Sequence, residues 1–214
     1  MKKPNTGLIK GERAKDYAIR SKESEATMKT LEFILENLRF SKKTVIVDLA
    51  AGSGNYERSL KGRVKSIDAV ELSEEMVSMM RKEFKGSNVN VIKSDIINTC
   101  LKSGSYDAAL FIMSLHHVKD AESSIAEVAR LLKPNGSFIL VDRVPRSNIL
   151  NRMYDSLDAK RKGVKEGYGH YYRNRKSLET SLSKNFTIKK SVDYPYDGFK
   201  GLIITRMMYC LVKK

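Results

Sequence analysis

The sequence predicts an α/β fold built on a doubly wound, mostly parallel sheet of seven strands. Three observations carry this. Short, continuous apolar runs alternate along the chain with amphipathic stretches of helix length, the pattern of strands covered on both faces by helices. The first such run, Val45-Ile46-Val47, ends in Asp48 and passes into the small-residue loop Leu49-Ala50-Ala51-Gly52-Ser53-Gly54. Later, Lys133-Pro134-Asn135-Gly136 stops an amphipathic segment just ahead of another apolar run.

The elements follow in order. Residues 23–39 read as a helix, since Met28, Leu31, Ile34, Leu35 and Leu38 recur at helical spacing among Glu, Lys and Asn. Val45–Leu49 is the first strand, and residues 54–61 suit a short helix. Val64–Val70 is the second strand, and Ser73 caps a helix running to about Phe84 with Met76 and Met80 on one face. Val89–Lys93 and Asp107–Met113 are strands three and four, residues 121–132 an amphipathic helix, and Ser137–Asp142 strand five. Beyond Arg143 comes a polar stretch rich in Tyr and Arg, then a helix around Lys176–Ser183. Two last strands follow, Phe186–Val192 and Leu202–Val212. Strands and helices alternating at this interval give right-handed crossovers and a parallel sheet. No internal repeat or low-complexity linker interrupts the chain, so residues 1–214 read as one domain.

Composition narrows the function classes. With 41% hydrophobic residues in 214, the chain has enough apolar matter for a core, which sets disorder aside. No apolar run reaches the length of a spanning helix, and the charged start Met1-Lys2-Lys3-Pro4 has no apolar segment behind it. Cys100 and Cys210 stand far apart with no His or Cys at metal-ligand spacing, so no metal site is expected. A cytoplasmic protein with two ordinary thiols is the simplest reading. The formal net charge of +15 is the unusual bulk property. It fits attraction to an anionic partner such as nucleic acid, and equally a Lys-rich solvated surface. Small basic concentrations lie at Lys160-Arg161-Lys162 and Arg173-Asn174-Arg175-Lys176.

The chemistry concentrates at strand ends. In an open parallel sheet a ligand lies across the carboxyl ends of the strands. Asp48 ends strand one beside a loop whose Gly52 and Gly54 let a backbone approach a nucleoside cofactor closely. Glu71 ends strand two about 20 residues further on, where a carboxylate accepts both hydroxyls of a ribose. Asp95, after strand three, is placed to accept from an adenine amino group. The nicotinamide fingerprint Gly-x-Gly-x-x-Gly fails here. Gly52-Ser53-Gly54 is followed by Asn55-Tyr56-Glu57, with no third glycine.

These segments resemble the class I methyltransferases that use S-adenosylmethionine, in particular the small type 11 group with its ubiquinone and menaquinone biosynthesis enzymes. The matching stretches are Asp48–Gly54, Val70–Met76, Ser94-Asp95, Tyr106–Ala109, Leu115-His116-His117-Val118 and Leu131–Gly136, about half the chain. The resemblance implies a Rossmann-like seven-stranded sheet whose last strand is antiparallel. It also implies an N-terminal helical cap over residues 1–40 and a variable region, 143–185, on the substrate side. S-adenosylmethionine is the implied cofactor, held by Tyr17, Asp48, Ala50, Gly52, Gly54, Glu71, Leu72, Met76, Asp95, Ile96, Phe111 and Ile112. Ala50 departs from the glycine usual at that loop position and implies a tightened pocket. Asn135 replaces the first glycine of the usual Lys-Pro-Gly-Gly turn, and Asn tolerates the positive φ such a turn needs.

The implied reaction is in-line transfer of a methyl group to a small-molecule acceptor, with an O, N or C atom receiving it. An RNA acceptor, contacted through the basic surface, is the alternative. Where the acceptor must lose a proton, His116 and His117 after strand four are the best-placed bases, with a structural role for one of them as the rival reading. His170, in Gly169-His170-Tyr171-Tyr172-Arg173, is the other candidate. Its aromatic and Arg neighbours suit a planar or anionic acceptor and equally a loop folded over the core. Tyr17 suits a lid over the cofactor and equally ordinary helix packing. The Asn/Asp-Pro-Pro-Tyr/Phe motif of amine-methylating enzymes is absent, since Phe111-Ile112-Met113-Ser114 occupies that place. No Cys near strand four or five supplies the nucleophile that cytosine C5 chemistry requires.

Overall fold

The computed structural model describes residues 16, 24–146, 149, 171, 173–195 and 204–214. Seven strands form one sheet in the order β3-β2-β1-β4-β5-β7-β6. They are β1 (Val45–Leu49), β2 (Ser66–Glu71), β3 (Val89–Lys93), β4 (Tyr106–Ile112), β5 (Leu132–Pro145), β6 (Phe186–Pro195) and β7 (Ile204–Lys213). Strands β1 to β5 pair in parallel, while β7 runs antiparallel to both β5 and β6. The expected antiparallel last strand is therefore present. The order reverses between β1 and β4, which opens a crevice at their carboxyl ends.

Five α-helices accompany the sheet among the described residues: α1 (Glu25–Asn37), α2 (Asn55–Leu60), α3 (Glu74–Glu83), α4 (Ala121–Leu131) and α5 (Arg175–Ser183). A single 3₁₀ turn, Leu115–His117, follows β4. None of these helices is long and apolar enough to cross a membrane. Side chains of Ser24, Ser73, Asp120 and Asn174 each accept a backbone N–H of the first turn they precede, fixing where α1, α3, α4 and α5 begin. Strand alternation sends the apolar residues of the sheet to two cores. On one face Leu49, Phe111, Phe138 and Tyr209 meet Ile125 and Val128 of α4 and Leu178 and Leu182 of α5. On the other, Ile46, Leu110, Ile139 and Met208 meet Phe33 and Ile34 of α1 and Met80 of α3, together with Phe84.

The element boundaries differ from the periodicity in instructive ways. Helix α1 spans 25–37 rather than 23–39, because Ser24 caps it and Leu38 is already extended. Strand β2 starts at Ser66, two residues after the buried Val64, whose apolar side chain extended the expected strand backwards. Met113 leaves β4 with φ +54, so that strand ends at Ile112. Strand β5 is the largest correction. It runs from Leu132 to Pro145 because its register jumps from Tyr106↔Leu132 to Ala108↔Ser137, so that Lys133–Gly136 forms a bulge inside it. Asn135 sits there at φ +60, as its small polar side chain permits. Lys133 uses the bulge to reach Asp107 at 2.6 Å, and Asp107 also accepts the Val45 N–H at 2.8 Å, tying β4 to the start of β1.

Candidate active site

A cavity of about 580 Å³ opens at the carboxyl ends of β1, β2 and β4, the size range of small-molecule sites. Its floor includes residues 50–53 of the loop. Ala50, Gly52 and Gly54 all adopt left-handed backbone, with φ +60, +60 and +78. A Cβ built on Gly52 meets no protein atom within 4 Å. Ala50 and Gly52 both line the cavity. Ala50 thus holds, with a Cβ, a conformation that glycine adopts without cost.

The three strand-end acids converge on this cavity. Glu71 is largely buried. Its carboxylate accepts from the backbone N–H groups of Leu72 and Ser73 at 2.8 Å and of Gly52 at 2.9 Å, clamping the loop to the end of β2. Burial pushes its pKa up, and those three N–H groups pull it back. Asp95 is exposed and accepts the Ile97 N–H at 3.1 Å, closing a turn. Asp48 is only 1% exposed, and beside it lies Glu57 of α2, also 1% exposed. None of the four oxygens of this pair makes a hydrogen bond of normal geometry to a donor. Burial first, then the neighbouring Glu57 charge, pushes the Asp48 carboxyl well above the usual range, and burial also raises Glu57.

Opposite the loop, the 3₁₀ turn after β4 presents two imidazoles whose centroids are 4.0 Å apart. Both line the cavity. His116 is buried, and its Nδ1 bonds Oδ1 of Asp142, a buried residue of β5. Asp142 also accepts the Arg143 N–H at 2.7 Å. A carboxylate accepts only, so Nδ1 is the atom that donates to Asp142, which leaves Nε2 as the ring's other nitrogen. The backbone oxygen of His116 takes the Tyr171 N–H at 2.7 Å, which fixes the turn.

Of the residues expected at a cofactor site, Asp48, Ala50, Gly52, Glu71, Leu72, Met76, Asp95, Ile96 and Ile112 line the cavity, and His116 and His117 share it. Two do not. Phe111 is fully buried in the core formed with α4 and α5, because alternation along β4 turns it away from the face that Ile112 shares with α1 and α3. Gly54 is absent from the wall. A Cβ there would lie 2.5 Å from the Phe84 ring, so this glycine serves close packing of α2 against the end of α3. Tyr17 and His170 lie outside the described residues.

Four charged residues in or beside the cavity were not singled out from the sequence. Asp142 carried the same signal as Asp48 and Glu71, an acid closing an apolar strand. Glu57 carried no signal beyond its place in a short helix after the loop. Arg143 of β5 and Arg206 of β7 are register partners that line the same cavity, and Arg206 stacks over Tyr194 at 5.4 Å. Only the antiparallel β5–β7 pairing brings them together. Arg173, from the second basic concentration, spends its guanidinium on the carbonyls of Tyr171, Val118 and Lys119.

Residues 47–140 match the family model Methyltransf_11, described as a methyltransferase domain. The 2-phytyl-1,4-naphtoquinone methyltransferase of Nostoc sp. is 26% identical over 181 residues, 74% of this chain and 78% of that protein. The demethylmenaquinone methyltransferase of Clavibacter sepedonicus is 28% identical over 112 residues, 51% of this chain but 46% of its own length. The crystal structure of the YcgJ protein from Bacillus subtilis superposes with a TM-score of 0.72 at 16% identity, covering 87% of this chain and 99% of that one. That likeness concerns the fold.

Proposed function

We propose, from the premise that this chain is a class I S-adenosylmethionine-dependent methyltransferase of the type 11 group, that it methylates a small aromatic acceptor of quinol type whose receiving atom gives up a proton to His116. One observation carries the reading: a buried Asp142 carboxylate holds the His116 imidazole, which forms part of the cavity wall, through Nδ1. Such a carboxylate fixes the tautomer and orientation of the ring and stabilises the imidazolium once Nε2 takes a proton.

The residues present suit the donor. Asp48 offers a buried carboxyl with no hydrogen-bond donor, which a ligand ammonium would satisfy. Glu71, already oriented by three N–H groups, would accept a ribose hydroxyl with the one lone pair left on Oε2, and Asp95 at the rim would accept from the adenine amino group. Leu72, Met76 and Ile96 supply apolar wall around them. When bound, S-adenosylmethionine supplies an electrophilic methyl on a sulfonium. The protein's share of an in-line displacement is then positioning, exclusion of water and removal of the acceptor proton. Ile97, Ile112, Met113 and Val118 give the acceptor side apolar surface suited to a flat ring. The relatives named for naphthoquinone and menaquinone support the same acceptor class.

The test is transfer of tritiated methyl from S-adenosylmethionine to a panel of reduced quinones, phenols and amines, with total RNA alongside. We expect transfer to a quinol. Asp142→Asn should lower kcat on the order of 10²-fold and displace the acid limb of its pH profile, leaving the KM for the donor near wild type. Transfer to RNA alone, or an Asp142→Asn enzyme with unchanged kcat, would overturn the reading.

A further inference from the structure

Helix α2 starts directly after the loop 50–54, and its first turn places Glu57 behind Asp48. Both carboxyls are shut away from solvent, and none of their four oxygens makes a hydrogen bond of normal geometry. Among the described residues, the charged groups bearing on them are Glu71, Arg58 and Glu83. Glu71 of β2 faces Asp48, adding negative charge, while its own oxygens are engaged with Gly52, Leu72 and Ser73. Arg58, next along α2, turns its guanidinium to Glu83 of α3, to Asn55 and to the Ser53 carbonyl. Among the described residues, no lysine, histidine or arginine is hydrogen-bonded to either member of the pair.

Two carboxylates buried together without a donor cannot both stay ionised, so one of them keeps a proton. Asp48 lines the cavity and Glu57 does not, which orders their roles: Asp48 meets a ligand and Glu57 acts through Asp48. We propose that Asp48 and Glu57 form a proton-sharing carboxyl pair that exchanges its proton for the ammonium of the donor's amino-acid moiety, with Glu57 as the positioning residue that makes donor binding proton-coupled. Resting on the donor reading above, this adds a linkage that reading does not require. The balance is simple. The ligand's amine arrives already as an ammonium, the pair goes from one negative charge to two, and the displaced proton passes to the buffer. No covalent bond changes other than the O–H. The burial-driven rise of both carboxyls agrees with a pair that is half protonated before the ligand arrives.

The experiment is calorimetric titration of the full chain with S-adenosylhomocysteine, which carries the ammonium but no transferable methyl. Each pH between 5 and 8 is run in two buffers of different ionisation enthalpy. 5′-Methylthioadenosine, which lacks the amino-acid moiety, serves as the control. The proposal expects up to one proton released per S-adenosylhomocysteine bound over part of this range, with affinity rising by up to about tenfold per pH unit there. It expects none released with methylthioadenosine. Glu57→Gln removes the competing charge at constant volume, so its release profile should move to lower pH. Thermal unfolding checks that the variant folds, and the wild-type proton count stands without it. Buffer-independent heats for wild type across the range would overturn the proposal, as would a Glu57→Gln release profile superimposable on wild type. Failure of S-adenosylhomocysteine and methylthioadenosine alike to bind would instead overturn the donor reading, and this proposal with it.

Discussion

Gly54→Ala and Gly52→Ala separate packing from ligand approach within one loop. At Gly54 the added Cβ would lie 2.5 and 2.9 Å from two ring carbons of Phe84 and 3.3 Å from Cγ of Met80. Phe84 is 3% exposed, and Met80 is completely buried. The ring has nowhere to retreat without disturbing the α3 side of the core. Overfilling a packed core costs about 1–3 kcal/mol. The backbone there has φ +78, and a left-handed conformation costs a residue with a Cβ roughly a further 1–2 kcal/mol. The expected loss is therefore about 2–5 kcal/mol. At Gly52 the φ is +60 but the added Cβ meets nothing within 4 Å. Only the conformational part remains, about 1–2 kcal/mol. Urea unfolding followed by far-ultraviolet circular dichroism should show a large drop in midpoint for Gly54→Ala and a small one for Gly52→Ala, with equal slopes. Titration with S-adenosylhomocysteine should reverse the ranking, because Gly52 lines the cavity and Gly54 does not. Equal stability losses, or unimpaired ligand binding by Gly52→Ala, would refute the reasoning.

Ala50→Gly at φ +60 removes strain of the same kind, about 1–2 kcal/mol, against an entropic cost of about 0.4–1 kcal/mol, so its urea midpoint should stay level or rise by up to about 1.5 kcal/mol of stability. Glu127 accepts from Thr99 N and Oγ1 and from Arg130, and the Arg130 hydrogen bonds lead in holding its carboxyl down at about 2. Its folded pKa lies below the unfolded value, so its stabilisation is present above pH 4.5 or so and is lost as pH falls toward 2. Glu127→Gln should destabilise by about 1–2 kcal/mol at pH 7, the partly exposed Arg130 limiting the value, and the gap to wild type should close in acid unfolding curves. Arg173→Ala deletes three hydrogen bonds from a charged donor to the carbonyls of Tyr171, Val118 and Lys119. It should speed amide hydrogen exchange at Tyr171 and His117 and leave exchange in β1 unchanged.

The centre of the sheet was legible because its strands are buried on both faces. Val45–Leu49 matches the structure residue for residue, since a continuous apolar run between breakers leaves little room for slippage, and the edge strand Val89–Lys93 matches through its alternating apolar residues. Strand β5 was not, because pairing of Leu132 with Tyr106 of β4 recruits residues that read as a turn at one end, and pairing with β7 recruits residues that read as polar chain at the other. The strand-end acids were legible for a general reason: a carboxylate ending an apolar strand in an open α/β sheet faces the crevice. The same rule pointed to Asp142, whose value shows only once the β4–β5 pairing sets it beside the turn carrying His116. Gly54 illustrates the opposite limit. Its motif suggested contact with a cofactor, while its actual neighbour, Phe84, lies 30 residues away in sequence and is brought there by the crossover. Glu57 was invisible for a related reason. A glutamate in the first turn of a short helix is ordinarily solvated, and its burial against Asp48 is a product of tertiary packing.

The central claim is that the crevice at the ends of β1, β2 and β4 binds the methyl donor through its strand-end acids. Calorimetric titration of S-adenosylhomocysteine into wild type and Glu71→Gln at pH 7.5 tests it most directly. The account predicts one site per chain in the wild type and at least tenfold weaker binding in a folded Glu71→Gln, whose amide cannot accept from both the loop N–H groups and a ribose. No binding by wild type, or equal affinity in the two proteins, would contradict it.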